Sequence, residues 1–316
     1  MTPLVEVLGL VVSYATEGRA VRALDGVDLV IAPGERVGLV GESGSGKSTL
    51  GMAVGRLLAP NARFEAGFIR VDGTSVLDAP ATELRRLRRE RLGFVFQNPM
   101  TALDPTLRIG RQMALALPGG ASTAQIESAL ARVGLAQPAR VRTSFPHELS
   151  GGMAQRVVIA MAVARRPALL IADEPTASLD ASIQGLILDL LDELLRETGA
   201  GLILMSHDLR MVARRCERTA VMYGGRVVEA GRSEDVFQRP QHPYTQALIR
   251  AAAGNETPGA WLAPIAGVPP VLRSAAADCA FAPRCPHAEP RCREQRPPQR
   301  TVAGREVACH LAGELA

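Results

Sequence analysis

The chain has 316 residues with 36 basic and 32 acidic side chains, a net charge of +4, so it is long enough for two units and carries no large excess of one charge. Aromatic residues make up only 3%, too few for base-stacking platforms, and nucleic acid is not the expected partner. Hydrophobic residues reach 47%, yet the longest apolar run, near Val157 to Ala164, is far short of the 18 residues that a membrane span requires.

The N-terminus lacks the basic-then-apolar order of a secretory signal, which predicts a chain that stays in the cytoplasm. Residues 5–14 and 27–31 read as strands, the second closed by the turn Pro33-Gly34-Glu35. Tyr14 ends the first and is a candidate to stack on an adenine, although a lone tyrosine is more often a packing residue. Residues 36–40 form an apolar run. It feeds Gly41-Glu42-Ser43-Gly44-Ser45-Gly46-Lys47-Ser48-Thr49, which fits the phosphate-loop pattern G-x-x-x-x-G-K-[ST] at every fixed position. The glycines allow backbone N–H groups to face phosphate oxygens, and the following helix adds a partial positive charge at its N-terminus. Lys47 is placed to reach the outer phosphates, and Ser48 to put its hydroxyl on a magnesium ion.

The loop helix runs on toward Leu58 and stops at Pro60. Residues 68–71 read as a strand, followed by a helix over 83–92 whose five clustered arginines form a solvated face opposite Leu84 and Leu87. The strand 93–97 ends in Gln97 at a strand-to-loop hinge. Helical periodicity holds from 107 to 133, with Ser122 and Gln125 fitting a capping box. Leu149-Ser150-Gly151-Gly152-Met153 then precedes an apolar helix over 157–165. A Ser-Gly-Gly turn there is either a second anion cradle or a plain helix cap.

Residues 168–174 form a buried strand ending in Asp173 and Glu174. An acid at the carboxyl end of such a strand suits a magnesium ligand, and the next carboxylate suits the base that activates water. Ser178-Leu179-Asp180 leads into a helix, and the strand 201–206 ends at His207. A hairpin over 218–230 and a helix over 243–253 follow. Beyond them lie nine of the 22 prolines, so this tail needs a staple. Cys279, Cys285, Cys292 and Cys309 can supply one. The spacing C-x5-C-x6-C-x16-C leaves an iron–sulfur cluster, a zinc site that includes His287 or His310, and free thiols all open.

Taken together, the phosphate loop, Gln97, Leu-Ser-Gly-Gly, Asp173-Glu174, Asp180 and His207 in this order resemble an ABC transporter ATPase subunit. The resemblance covers about residues 4 to 253. Finer traits are similar to the dipeptide/oligopeptide import family, whose relatives also import nickel and glutathione: Gln-Asn-Pro-Met-Thr-Ala-Leu-Asp-Pro, Met153 after Ser-Gly-Gly, His242-Pro-Tyr-Thr245 and Phe281-Ala-Pro-Arg-Cys285.

The resemblance implies an α/β fold with a RecA-like phosphate-loop core, an antiparallel β subdomain, and a helical subdomain over about 100–165. The nucleotide-binding domain would cover 1–255, and a loop-rich extension 256–316. It further implies ATP and magnesium as cofactors, with Ser48, Gln97 and Asp173 around the metal, Glu174 as base and His207 on the γ-phosphate. Asp180 would cross a dimer interface, and residues 149–153 would cover the partner's ATP. The implied partners are a second, different ATPase subunit, two integral permeases and an extracytoplasmic binding protein, with this chain peripheral on the cytoplasmic face of the membrane. The cysteine tail is similar to those of members that hold a [4Fe–4S] cluster. A soluble, non-transport ABC ATPase is the other reading, and the chain has neither the second cassette nor the long coiled coil usual there.

Overall fold

The computed structural model describes residues 2–16, 19–177, 179, 181–253 and 264–314. The chain divides into two compact units, one made of Met1–Ile31, Arg36–Asp78 and Leu204–Ala316 and the other of Ala32–Glu35 and Ala79–Ile203.

In the first unit, strands Arg19–Ile31, Val5–Thr16, Ala62–Val71 and Thr74–Ser75 lie side by side in that order as an antiparallel sheet. Val5, Val7, Leu10 and Val12 are buried, an alternation shifted by the bulge between Leu8 and Val11. Two of these strands are longer than their apolar cores suggest. Arg19–Ile31 begins well before residue 27 because its first half also pairs with Val5–Thr16, and there Arg22 bonds Asp25 at 2.9 Å and Glu65 at 2.7 Å.

A second set of strands in this unit carries the phosphate loop. Arg36–Val40 runs parallel to Arg218–Tyr223, with Val40 opposite Val221. The chain then turns at Gly224-Gly225 into the antiparallel strand Arg226–Arg232. The loop-rich tail contributes two short strands here. Arg305–Val307 pairs with Arg226–Arg232, Glu229 opposite Val307, and Arg300–Val302 pairs in turn with Arg305–Val307.

Buried ionic contacts fasten the tail. The Glu229 carboxylate accepts the N–H groups of Gln241 and His242, both at 2.9 Å, and lies 3.8 Å from Arg305. Burial nonetheless pushes its pKa above the usual carboxylate range. Arg226 donates from Nε to Asp25 at 2.8 Å and from Nη2 to the Ala276 carbonyl at 2.7 Å. Burial raises the Asp25 pKa, but hydrogen bonds from Arg22 and Arg226 outweigh it and hold the carboxyl below its ordinary value.

The second unit contains the parallel pair Leu92–Val95 and Leu169–Asp173, the latter buried throughout. Its helices include Ala81–Glu90, Ile109–Ala116, Thr123–Arg132, Pro138–Thr143, Gly151–Val163 and Ala181–Thr198. The capping box is present: Ser122 Oγ accepts the Gln125 N–H, and the Gln125 side chain accepts the Ser122 N–H. Leu84 and Leu87 are buried beneath the arginine-rich helix, as its periodicity requires. The strand Gly201–Ser206 runs through the boundary between the units.

Candidate functional site

The phosphate loop leaves the strand Arg36–Val40 and enters the helix Lys47–Val54, which stops at Gly55, short of the expected end at residue 58. Gly41 and Gly46 adopt φ values of 150° and 105°. A Cβ on Gly41 would lie 2.2 Å from the Met222 carbonyl oxygen, and one on Gly46 would lie 2.7 Å from that of Ala23. Only glycine fits either position without moving backbone. Lys47 is buried, and its Nζ donates to the Gly41 carbonyl at 2.8 Å and the Glu42 carbonyl at 3.0 Å, so the ammonium lies along the loop's inner wall. Ser48 is exposed at the mouth of the loop. Tyr14 comes to the same helix, its hydroxyl 3.4 Å from Thr49 Oγ1. His207 is exposed just past Ser206, where Asp208 caps the next helix by accepting the N–H groups of Arg210 and Met211.

The second unit brings its own site residues to one sheet edge. Because Val95 stands opposite Ala172 in a parallel pair, Gln97 and Asp173 leave the carboxyl ends of adjacent strands. Gln97 is exposed, Asp173 is 9% exposed, and Glu174 is half-buried with φ 47°. A left-handed conformation at a glutamate is rare and strained, and sequence gives no sign of it. Elsewhere in this unit, Ser150 caps Gly151–Val163 by accepting the Met153 N–H at 3.3 Å, which is the helix-cap reading of the Ser-Gly-Gly turn. That helix starts six residues earlier than its apolar run. Asp180 and Ser178 lie outside the described residues.

The four tail cysteines form no disulfide. Cys292 and Cys309 are buried, Cys279 and Cys285 half-buried, and the Cys279 N–H donates to the Cys292 carbonyl at 2.9 Å. Burial raises the thiol pKa values of Cys279, Cys285 and Cys309, the last to about 11, and the neighbouring thiols add to each shift. Among the described residues, no three His, Cys, Asp or Glu side chains stand close enough to hold a single metal ion. The ring of His310 is engaged with the Gln295 carbonyl at 3.0 Å.

The family model for ABC transporters matches residues 24–177, and that for the oligopeptide/dipeptide transporter C-terminal region matches residues 228–292. The oligopeptide transport ATP-binding protein OppD of Salmonella typhimurium is 42% identical over 97% of this chain and 93% of its own length. The chain belongs to the ABC transporter ATPase family. Escherichia coli OppD is 41% identical over 97% of this chain and 92% of its own. Among solved structures, a dimeric post-hydrolysis state of the ATP-binding cassette MJ0796 bound to ADP and Pi matches with a TM-score of 0.65 and 30% identity, covering 72% of this chain and 98% of that one.

This ABC ATPase also holds its phosphate loop through two residues that motif reading missed. Tyr244 Oη accepts the Glu42 N–H at 2.8 Å, and Arg284 forks onto the Glu42 carboxylate at 2.6 and 3.0 Å. Tyr244 belongs to the His-Pro-Tyr-Thr motif and Arg284 to Phe-Ala-Pro-Arg-Cys, so the only available signal was that both motifs occur together. No helix among the described residues is long and apolar enough to cross a membrane.

Proposed function

We propose that this chain is the ATP-hydrolysing subunit of an importer that brings peptides across the cytoplasmic membrane. The carrying observation is that an ATPase cassette and the oligopeptide/dipeptide C-terminal region occur together on a chain similar to OppD over 97% of its length. Such a subunit works peripherally on the cytoplasmic face, paired with a second, different ATPase subunit beneath two permeases that a substrate-binding protein loads. For the permease contact we favour an apolar groove of about 270 Å³ in the second unit. Phe94, Phe96 and Leu115 line it with a basic rim of Arg88, Arg89 and Arg165.

ATP phosphates lie along the loop 41–49, with Lys47 on the outer phosphates and Tyr14 beside the adenine. The Tyr14 contact with Thr49 supports that assignment. Ser48, Gln97 and Asp173 would hold Mg²⁺, which when bound would supply charge neutralisation at the transferring phosphoryl group. Glu174 accepts a proton from water as its oxygen bonds the γ-phosphorus, and the bond from that phosphorus to the ADP oxygen breaks. His207 steadies the γ-phosphate, Asp180 crosses to the partner subunit, and residues 149–153 close over the partner's nucleotide.

Each ATP site then needs both subunits. The isolated chain, monomeric by light scattering, is expected to hydrolyse ATP slowly, while the detergent-solubilised assembly with both permeases hydrolyses faster and responds to peptide-loaded binding protein. Full activity from the monomer, or no membrane protein recovered with the tagged chain from its native membranes, contradicts the proposal.

The cysteine cluster fits a [4Fe–4S] group by its donor set. Cys279, Cys285, Cys292 and Cys309 are four thiols that form no disulfide. No three His, Cys, Asp or Glu side chains among the described residues are placed to hold a metal ion, so the assignment rests on donor type and on the resemblance to cluster-holding relatives. When bound, the cluster supplies a cross-link that orders the proline-rich tail. Protein purified anaerobically is expected to be brown, with iron and sulfide near four per chain. Colourless protein with one zinc and no iron, made where clusters assemble, overturns this assignment.

A further inference from the structure

The phosphate-loop pattern leaves Glu42 unspecified, yet all the polar groups of this residue are held from elsewhere in the same unit. Tyr244 accepts its N–H, Lys47 donates to its carbonyl, and Arg284 grips its carboxylate. A guanidinium has five N–H donors. Every one on Arg284 is used: Nε on Ala266 O at 2.8 Å, Nη1 on Glu42 Oε2 at 2.6 Å and Tyr223 Oη at 3.2 Å, and Nη2 on Glu42 Oε1 and Ile265 O, both at 3.0 Å. The Arg284 side chain is 3% exposed, so the fork is fixed in direction as well as in partners.

What fixes Arg284 is the cysteine module. It closes the short turn Ala282–Arg284, immediately before Cys285. That turn is anchored by buried Phe281, whose ring stands 5.2 Å from Tyr223, 5.4 Å from Tyr244 and 6.0 Å from His242. Two of these anchoring rings therefore also touch the loop's contacts, since Tyr244 bonds Glu42 and Tyr223 bonds Arg284. His242 is buried and Nδ1 accepts the Tyr244 N–H at 3.0 Å, which orients that tyrosine in turn.

A carboxylate at the first variable position of an anion cradle is unfavourable for a triphosphate unless a cation neutralises it. We infer that the C-terminal cysteine module clamps the phosphate loop, with Arg284 as a positioning residue that neutralises Glu42 and fixes the loop in its ATP-receiving form. This rests on the reading that the loop 41–49 receives ATP. All five N–H donors of Arg284 go to Glu42, Tyr223, Ala266 and Ile265, none of them a candidate base or metal ligand, so its effect falls on binding and leaves the saturated rate alone.

The test is MgATP affinity of the full chain by fluorescent-nucleotide titration, with melting temperature alongside. Arg284→Ala is expected to weaken binding by about 5–20-fold. In the assembled transporter KM for ATP rises similarly while kcat stays within twofold. Adding Glu42→Gln to Arg284→Ala should recover much of the loss, because the uncompensated charge is gone; loss of a merely structural contact would not be repaired by removing its partner. Should Arg284→Ala fail to fold, Arg284→Gln removes the charge from a longer side chain and carries the same comparison with a loss of similar size. Affinity unchanged in the folded Arg284 variant, or a double variant as weak as the single one, overturns the inference. Lys47→Ala separates the two readings: weak binding there with normal binding in the Arg284 variant sinks only the clamp, whereas normal binding in Lys47→Ala sinks the nucleotide site itself.

Discussion

Glu174→Gln is expected to bind MgATP as the native chain does and to lose nearly all hydrolysis, by about 10²–10⁴-fold. Glutamine has the same length and shape, so the left-handed backbone at this position and the turn that its carbonyl closes with the Ala177 N–H are preserved. What is lost is the capacity to accept a proton from the attacking water. The strained φ of 47° supports a chemical role for this side chain, since a left-handed glutamate costs about 1–3 kcal/mol that another backbone path would avoid. Nucleotide titration and single-turnover hydrolysis in the assembled complex separate the two effects. Near-native turnover by the assembled variant would remove Glu174 from the role of base.

Lys47→Ala should fail earlier, at binding. Lys47 Nζ already lies along the loop, 2.8 Å and 3.0 Å from the carbonyls of Gly41 and Glu42, where a phosphate chain has to pass. Removing a charge-assisted contact costs about 1.5–3 kcal/mol, which corresponds to roughly 10–150-fold in dissociation constant. Competition titration with MgATP reads it directly. An unchanged dissociation constant would show that the loop does not hold the phosphates.

The glycines of the loop 41–49 were legible because backbone geometry fixes their type and local spacing: a glycine whose Cβ would meet a carbonyl at 2.2 Å is a glycine in any sequence that makes this turn. Strand limits were less legible. Residues 19 to 26 mix Arg19, Arg22, Asp25 and Gly26 with four apolar residues in no clear alternation, and they join the strand by pairing with Val5–Thr16. The three-residue strands of the tail have no periodicity to detect and exist by pairing with Arg226–Arg232. Least legible was the grip of Arg284 on Glu42, two residues 242 positions apart, each unremarkable in its own neighbourhood. The sequence patterns around both were visible; that they meet is a property of the folded chain.

The pairing of Arg305–Val307 with Arg226–Arg232 has a bearing on solubility. An open strand offers a row of unsatisfied N–H and C=O groups to any other chain that can lie alongside it. Here the chain's own C-terminal residues occupy that row beside Arg226–Arg232, and the outermost strand is Arg300–Val302, three residues long with Arg300 and Thr301 exposed to water. So short and basic an edge is a poor template for intermolecular β-pairing on this side of the sheet.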